Sequence, residues 1–157
     1  MSEQTSFYPL DTLKGIIEAL PQYKELGLVT TVLERGRCAL RMAYDERLVG
    51  NPDSGVLHGG AVTTLLDSVG GMVVFTAIPE GASVATLDLR IDYLKPATPG
   101  RAVIGEAEVY KMTKSVAFVR GKAFHEDEPD NPIAHAFGSF MVGSVGFSPD
   151  TKVEGAA

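Results

Sequence analysis

Residues 59–78 read GGAVTTLLDSVGGMVVFTAI, and this stretch decides the fold. Its length and near-continuous apolar content predict a helix that stops before Pro79-Glu80-Gly81. Only one polar or small stripe interrupts it, at Gly60, Thr64, Asp67, Ser68 and Gly71, so the helix must be wrapped on nearly all sides. Extended back to residue 56, the window approaches the length of a membrane span. A charge such as Asp67 near the middle of a span costs about 3 kcal/mol on insertion. The expectation is therefore the buried helix of a water-soluble domain.

Residues 10–20 carry apolar side chains at helical spacing and stop at Pro21, which predicts a short amphipathic helix. Residues 30–33 and 37–44 are strand-like runs on either side of Glu34-Arg35-Gly36, a first hairpin, and residues 51–55 have the chemistry of a loop. After the central helix, residues 85–94 alternate strictly. Leu87, Leu89, Ile91 and Tyr93 share one face, and Thr86, Asp88, Arg90 and Asp92 the other. Residues 102–112 and 115–125 form a long hairpin about Thr113-Lys114, residues 126–132 an acidic turn, and residues 133–142 a last strand. Strands grouped in this way predict an α+β domain with an antiparallel sheet of about six strands curled around the central helix.

A length of 157 residues suits one domain. The expected division is an N-terminal tail and short helix over 1–22, the domain proper over 23–142, and a tail over 143–157, with residues 1–9 also loosely held. With 45% hydrophobic and 22% charged residues, the chain is neither disordered nor collagen-like. A net charge of −6 disfavours nucleic-acid and anionic-membrane partners. Residues 88–122 run against this trend with seven basic and four acidic side chains, and an anionic ligand would lean there. Cys38, the single cysteine, can form no internal disulfide, and residues 1–6 lack the features of a signal peptide. The expected setting is the cytoplasm.

His58, His125 and His135 are scattered, and no metal-ligand spacing, phosphate-binding glycine loop or Gly-x-Ser-x-Gly elbow occurs. No metal and no cofactor are expected. What remains is Leu57-His58-Gly59-Gly60 at the helix start, with Asp67 inside the helix. A helix N-terminus offers unpaired N–H groups and a positive dipole end, and glycines let a substrate oxygen approach them. Asp67 is the only charged residue between Asp53 and Glu80, and a buried carboxylate without a partner is costly. It is either tied to a neighbouring element such as Arg90, orienting the helix, or it does chemistry. His58 reads equally as a residue bonded within its loop, while the Thr64 and Ser68 hydroxyls are expected to bond back to the helix. Asp67 lies eight residues past Gly59, about 12 Å along the axis. The two cannot serve one carbonyl within a single chain, but they can if a second copy of the helix packs antiparallel about a two-fold axis.

Residues 51–60 (NPDSGVLHGG), Asp67, residues 86–97 (TLDLRIDYLKPA), Pro99-Gly100 and residues 136–140 (AFGSF) together resemble the hot-dog-fold acyl-CoA thioesterases of the phenylacetate-degradation, PaaI-like type. The resemblance spans residues 23–142. It implies a curved antiparallel sheet around the long helix, a homodimer or dimer of dimers, and hydrolysis of an acyl-CoA thioester without metal or cofactor. Asp67 would be the catalytic base or nucleophile, and Gly59 would give its N–H to the thioester carbonyl at the dimer interface. Asn51 would help hold the carbonyl or the water, Thr86 would position the water, and His58 would support the loop or the leaving thiolate. Gly60, Lys114 and Ser115 would contact CoA, although the hairpin reads Thr113-Lys114-Ser115 where the family often has a glycine before the basic residue. The alternative from another class is a non-catalytic acyl-CoA-binding or regulatory module on the same fold.

Overall fold

In the computed structural model, which describes residues 7–143 and 148–149, the central helix α3 runs over Gly59–Ala77 with twelve of its residues buried. A helix apolar on nearly every side has to be surrounded, and α3 touches all six strands of one antiparallel sheet. It is long and apolar enough to cross a membrane, yet 67% of its apolar window is buried inside the protein, which makes it the core helix.

The chain enters through α1 (Leu10–Glu18) and α2 (Pro21–Glu25), then forms the hairpin of β1 (Leu28–Glu34) and β2 (Arg37–Met42). A single 3-10 turn (Glu46–Leu48) and a two-stranded ribbon of β3 (Val49–Asn51) and β4 (Val56–Leu57) lead into α3. After α3 come β5 (Val84–Tyr93), β6 (Val103–Met112), β7 (Val116–Phe124) and β8 (Ala134–Val142). The main sheet runs β1-β2-β6-β7-β8-β5, so β5 lies at an edge with no strand on its outer side among the described residues. This six-stranded α+β arrangement around one long helix is the hot-dog fold.

Two glycines set how closely α3 approaches the sheet. A Cβ at Gly70 would fall 2.7 Å from Phe140 Cζ on β8, and one at Gly105 on β6 would fall 2.8 Å from Leu65 Cγ. At its far end α3 stops at Ile78, whose extended backbone suits the residue before Pro79. Arg35, in the β1–β2 turn, donates to the Thr76 carbonyl at 2.8 Å and so satisfies one of the last helix carbonyls.

Three local expectations are corrected, and the expected 51–55 loop is placed. Pro21 does not simply end a helix, because it is the first residue of α2, a position where the missing N–H costs nothing. Residues 7–9 are not a loose tail: Tyr8 is only 1% exposed, its carbonyl accepts from Arg35 at 2.7 Å, and Phe7 bridges to Pro79. The 51–55 loop is the turn of the β3–β4 ribbon. Strict alternation along β5 breaks at Leu87, where a bulge shifts the register between Thr86 and Asp88. An extra residue in one strand flips the facing of everything before it. Thr86 therefore points to α3, as Leu89, Ile91 and Tyr93 do, and Leu87 is 50% exposed. Residues 1–6 and most of the 143–157 tail lie outside the described residues, although Ser148 is buried.

Candidate active site

The first cluster forms at the start of α3. His58 is the N-cap: its Nδ1 accepts the Gly60 N–H at 2.8 Å, and its own N–H donates to the Leu48 carbonyl at 2.8 Å. Because Nδ1 accepts, the ring proton sits on Nε2, which is left as a donor. A Cβ at Gly60 would fall 2.8 Å from that Nδ1, so the glycine there is required by the cap itself. The Ala61 N–H is taken by the His58 carbonyl at 2.9 Å. Gly59 is left with an N–H that no hydrogen bond among the described residues uses, on an exposed helix terminus.

Tyr93, at the end of β5, fixes this terminus from the sheet side. Its hydroxyl donates to the Gly59 carbonyl at 2.6 Å and lies 2.8 Å from Thr63 Oγ1, which must then be the donor in that second bond. Asn51 holds the β3–β4 turn, with its Oδ1 accepting the Asp53 N–H at 3.0 Å and its carbonyl accepting from Gly55 at 2.9 Å. The neighbouring Gly50 lies against His58, so that a Cβ there would come 2.8 Å from His58 Cα. Asn51 is thus carried to the same end of α3 as His58 and Gly59.

The second cluster lies two turns further along. Asp67 Oδ1 accepts the Thr86 hydroxyl at 2.9 Å, while Arg90 is engaged with Asp92 instead. Asp67 is half-buried rather than enclosed, on the one open face of α3 that also shows Gly60, Thr64 and Gly71. Thr64 bonds back to the Gly60 carbonyl as expected, but Ser68 does not bond back: it is buried, and its Oγ has no partner among the described residues. Its carbonyl accepts the Tyr23 hydroxyl at 3.1 Å, and burial pushes that phenol well above its ordinary pKa, so Tyr23 remains a neutral donor. Asp67 and Thr86 border a cavity of about 250 Å³. A second hollow of about 320 Å³ lies beside Gly59, Tyr93 and Pro96.

The two clusters are brought to one helix face but not together, since eight residues of helix separate Gly59 from Asp67 by about 12 Å. Lys114 and Ser115 occupy the β6–β7 turn, where Ser115 accepts the Val142 N–H at 2.8 Å. Val142 pairs with Val84, so this turn lies at the Asp67–Thr86 end of the sheet, away from Gly59 and Tyr93. Much of the local basic excess is neutralised: Arg90 pairs with Asp92, Arg101 with Asp127 and Glu128, and Arg120 with Glu108.

Other nucleophiles and ligands are set aside by their surroundings. Burial pushes the Cys38 thiol up to about 12, leaving it protonated at neutral pH. His125 is 1% exposed, with Nε2 accepting the Thr98 N–H and Nδ1 donating to the Ala102 carbonyl, a loop anchor. Among the described residues, no group of three or more His, Cys, Asp or Glu side chains could hold a metal ion. The sequence reading missed Tyr93 and Tyr23 as parts of the site; the signal for Tyr93 was its place on the same face of β5 as Leu89 and Ile91.

Residues 54–130 match the family model of the thioesterase superfamily. The chain is 35% identical over 124 residues to a putative esterase of Halobacterium salinarum, covering 74% of this chain and 81% of that one. It is 28% identical over 137 residues to the medium/long-chain acyl-CoA thioesterase YigI of Salmonella typhimurium, covering 79% and 86%. A crystal structure of a Pseudomonas aeruginosa protein superposes with a TM-score of 0.74 at 42% identity, covering 84% of this chain and 97% of that one. A lone carboxylate and an unused N–H at a glycine helix start, on one face of a hot-dog core helix, thus coincide with a match over the same residues: the chain belongs to the thioesterase superfamily and is a thioester hydrolase.

Proposed function

We propose that the chain hydrolyses acyl-CoA thioesters at a site built by two copies of itself, with Asp67 as the base. The observation that carries this reading is Asp67: a carboxylate on the core helix that, among the described residues, has no ion-pair partner and is held by the Thr86 hydroxyl at 2.9 Å, at the rim of an apolar cavity. A structural carboxylate in that position would be paired. The similarity to an acyl-CoA thioesterase supports CoA as the thiol half.

In this reading Asp67 takes a proton from water while the Thr86 oxygen, its own proton spent on Asp67, accepts the other water hydrogen. The water oxygen bonds to the acyl carbon, and negative charge develops on the carbonyl oxygen. Gly59 of the partner subunit donates its N–H to that oxygen at a helix N-terminus, where such donors lower the barrier by several kcal/mol. The Asn51 side-chain amide lies at the same helix end and adds a donor to the carbonyl or the water. The C–S bond then breaks, the electron pair leaves with sulfur, and the proton held by Asp67 passes to it. The His58 Nε2–H is placed to steady the thiolate before that transfer. Lys114 and Ser115 of the chain that supplies Asp67 lie at the same end of the sheet and receive the phosphates of CoA. Gly60 contributes by holding the cap that leaves Gly59 free. A homodimer follows from this division of labour, and the ten-residue free edge of β5 offers the surface for it.

The test is thiol release from a panel of acyl-CoA esters by the wild type and by Asp67→Asn. The expected result is hydrolysis by the wild type and a loss of at least a thousandfold in kcat for the variant, with its dimer and melting temperature retained. Tight acyl-CoA binding by the wild type without thiol release would favour a binding module.

A further inference from the structure

Gly71 lies one helical turn beyond Asp67 on the same face of α3 and borders the same cavity. Glycine inside a helix is destabilising relative to alanine, so its presence needs a reason. At Gly70 the reason is contact, since a Cβ would press on Phe140, but a Cβ at Gly71 meets nothing within 4 Å. The room above Gly71 is the cavity itself. Its apolar walls are Ile17, Leu20 and Tyr23 from the N-terminal helices, Met72 and Phe75 from α3, and Phe140 from β8. Among the described residues no lysine or arginine lines it, so a phosphate finds no counter-charge there, whereas an apolar acyl group finds a matching wall. An apolar cavity of ~150 Å³ lined by such residues accepts benzene. About 250 Å³ therefore accommodates a ring with a short tail, or an alkyl chain of similar bulk.

We propose that Gly71, together with Leu20 at the α1–α2 junction, sets the size of the acyl group that this enzyme accepts. The proposal rests on the acyl-CoA thioesterase reading and adds which part of the substrate enters the cavity and which residues measure it. The wall formed by residues 17–23 comes from the N-terminal helices, outside the stretch that matches the family model. Leu20 is half-buried and packs on the core, whereas Leu13 and Ile17 of α1 are fully buried, so Leu20 can be shortened while α1 stays anchored.

The experiment measures kcat/KM for acetyl-, butyryl-, octanoyl-, dodecanoyl- and benzoyl-CoA with the wild type, Gly71→Leu, Gly71→Ala and Leu20→Ala, together with dimer content and melting temperature. In Gly71→Leu the ratio of octanoyl- or benzoyl-CoA to acetyl-CoA falls at least tenfold. Gly71→Ala, which keeps the reading available if the larger variant fails to fold, shows the same shift to a smaller degree with a raised melting temperature. Leu20→Ala moves in the opposite direction, raising the ratio of dodecanoyl- to octanoyl-CoA at least threefold. If the wild type hydrolyses these esters but the ratios stay constant, or every ester loses the same factor, Gly71 and Leu20 do not select the acyl group. Failure of the wild type to hydrolyse any of them overturns the thioesterase reading and this inference with it.

Discussion

At the scale of single residues, the proposed hydrolysis depends on a carboxylate and the hydroxyl that holds it. The Thr86 hydroxyl has one proton, and at 2.9 Å it gives that proton to Asp67 Oδ1, which fixes one carboxylate oxygen and leaves the other to meet water. A hydrogen bond to a charged group contributes about 1.5–3 kcal/mol, so Thr86→Val should lower kcat by roughly tenfold to a hundredfold. Circular dichroism and melting should be little altered, because Thr86 is exposed in the single chain. A variant with wild-type kcat would remove Thr86 from the site. The lone charge of Asp67 and the glycines after His58 were legible in the sequence, because an ionisable group in an apolar run stands out without any knowledge of its neighbours. The facing of Thr86 was not legible. Period-two reasoning assigned it to the side away from Leu89 and Ile91, and the bulge at Leu87 that reverses it depends on pairing with β8. Ser68 was missed for a similar reason: Tyr23 packs against it from forty-five residues away, and such a contact leaves no trace in helix periodicity.

At the scale of elements, long and strongly patterned segments were readable and short ones were not. The central helix and the β6–β7 and β8 strands follow from their own composition. α2 is five residues long and the strands of the β3–β4 ribbon only three and two, so each is decided by what it packs on rather than by propensity. The acidic turn before β8 is held by electrostatics. The Glu128 carboxylate is pulled down to about 2, first by the Arg101 guanidinium, then by Lys95 and the Asn131 amide. A carboxyl whose folded pKa lies below its ordinary value of about 4.5 adds stability above that value. The contribution is lost as pH falls from about 4.5 towards about 2. Glu128→Gln should therefore flatten the acid side of the melting-temperature profile in this window relative to the wild type. Profiles that stay parallel below pH 5 would show that the cluster does not respond to proton uptake.

At the scale of the whole molecule, one chain carries a helix-start donor and a carboxylate about 12 Å apart along α3, and the proposed site takes one from each of two chains. Gly59 offers a donor without a base nearby, and Asp67 offers a base without a free helix N-terminus nearby. The hot-dog architecture was readable from the grouping of strands around a single buried helix, and the 12 Å separation was readable from helix rise alone. How two chains would meet was not, because the surface proposed to join them, the outer edge of β5 and the half-open face of α3, resembles ordinary surface in one sequence. Specific activity is a property of the pair in this account. The most direct test mixes two inactive variants, Asp67→Ala and Gly59→Pro. Proline suits the first helical position, and His58 before it is already extended, so the second variant removes the N–H without breaking α3. Random exchange makes half of the dimers mixed, and each mixed dimer has one site with both lesions and one with neither, so activity should return to at most about a quarter of the wild-type level. Subunit exchange demonstrated by mass spectrometry with no return of activity would contradict the shared site.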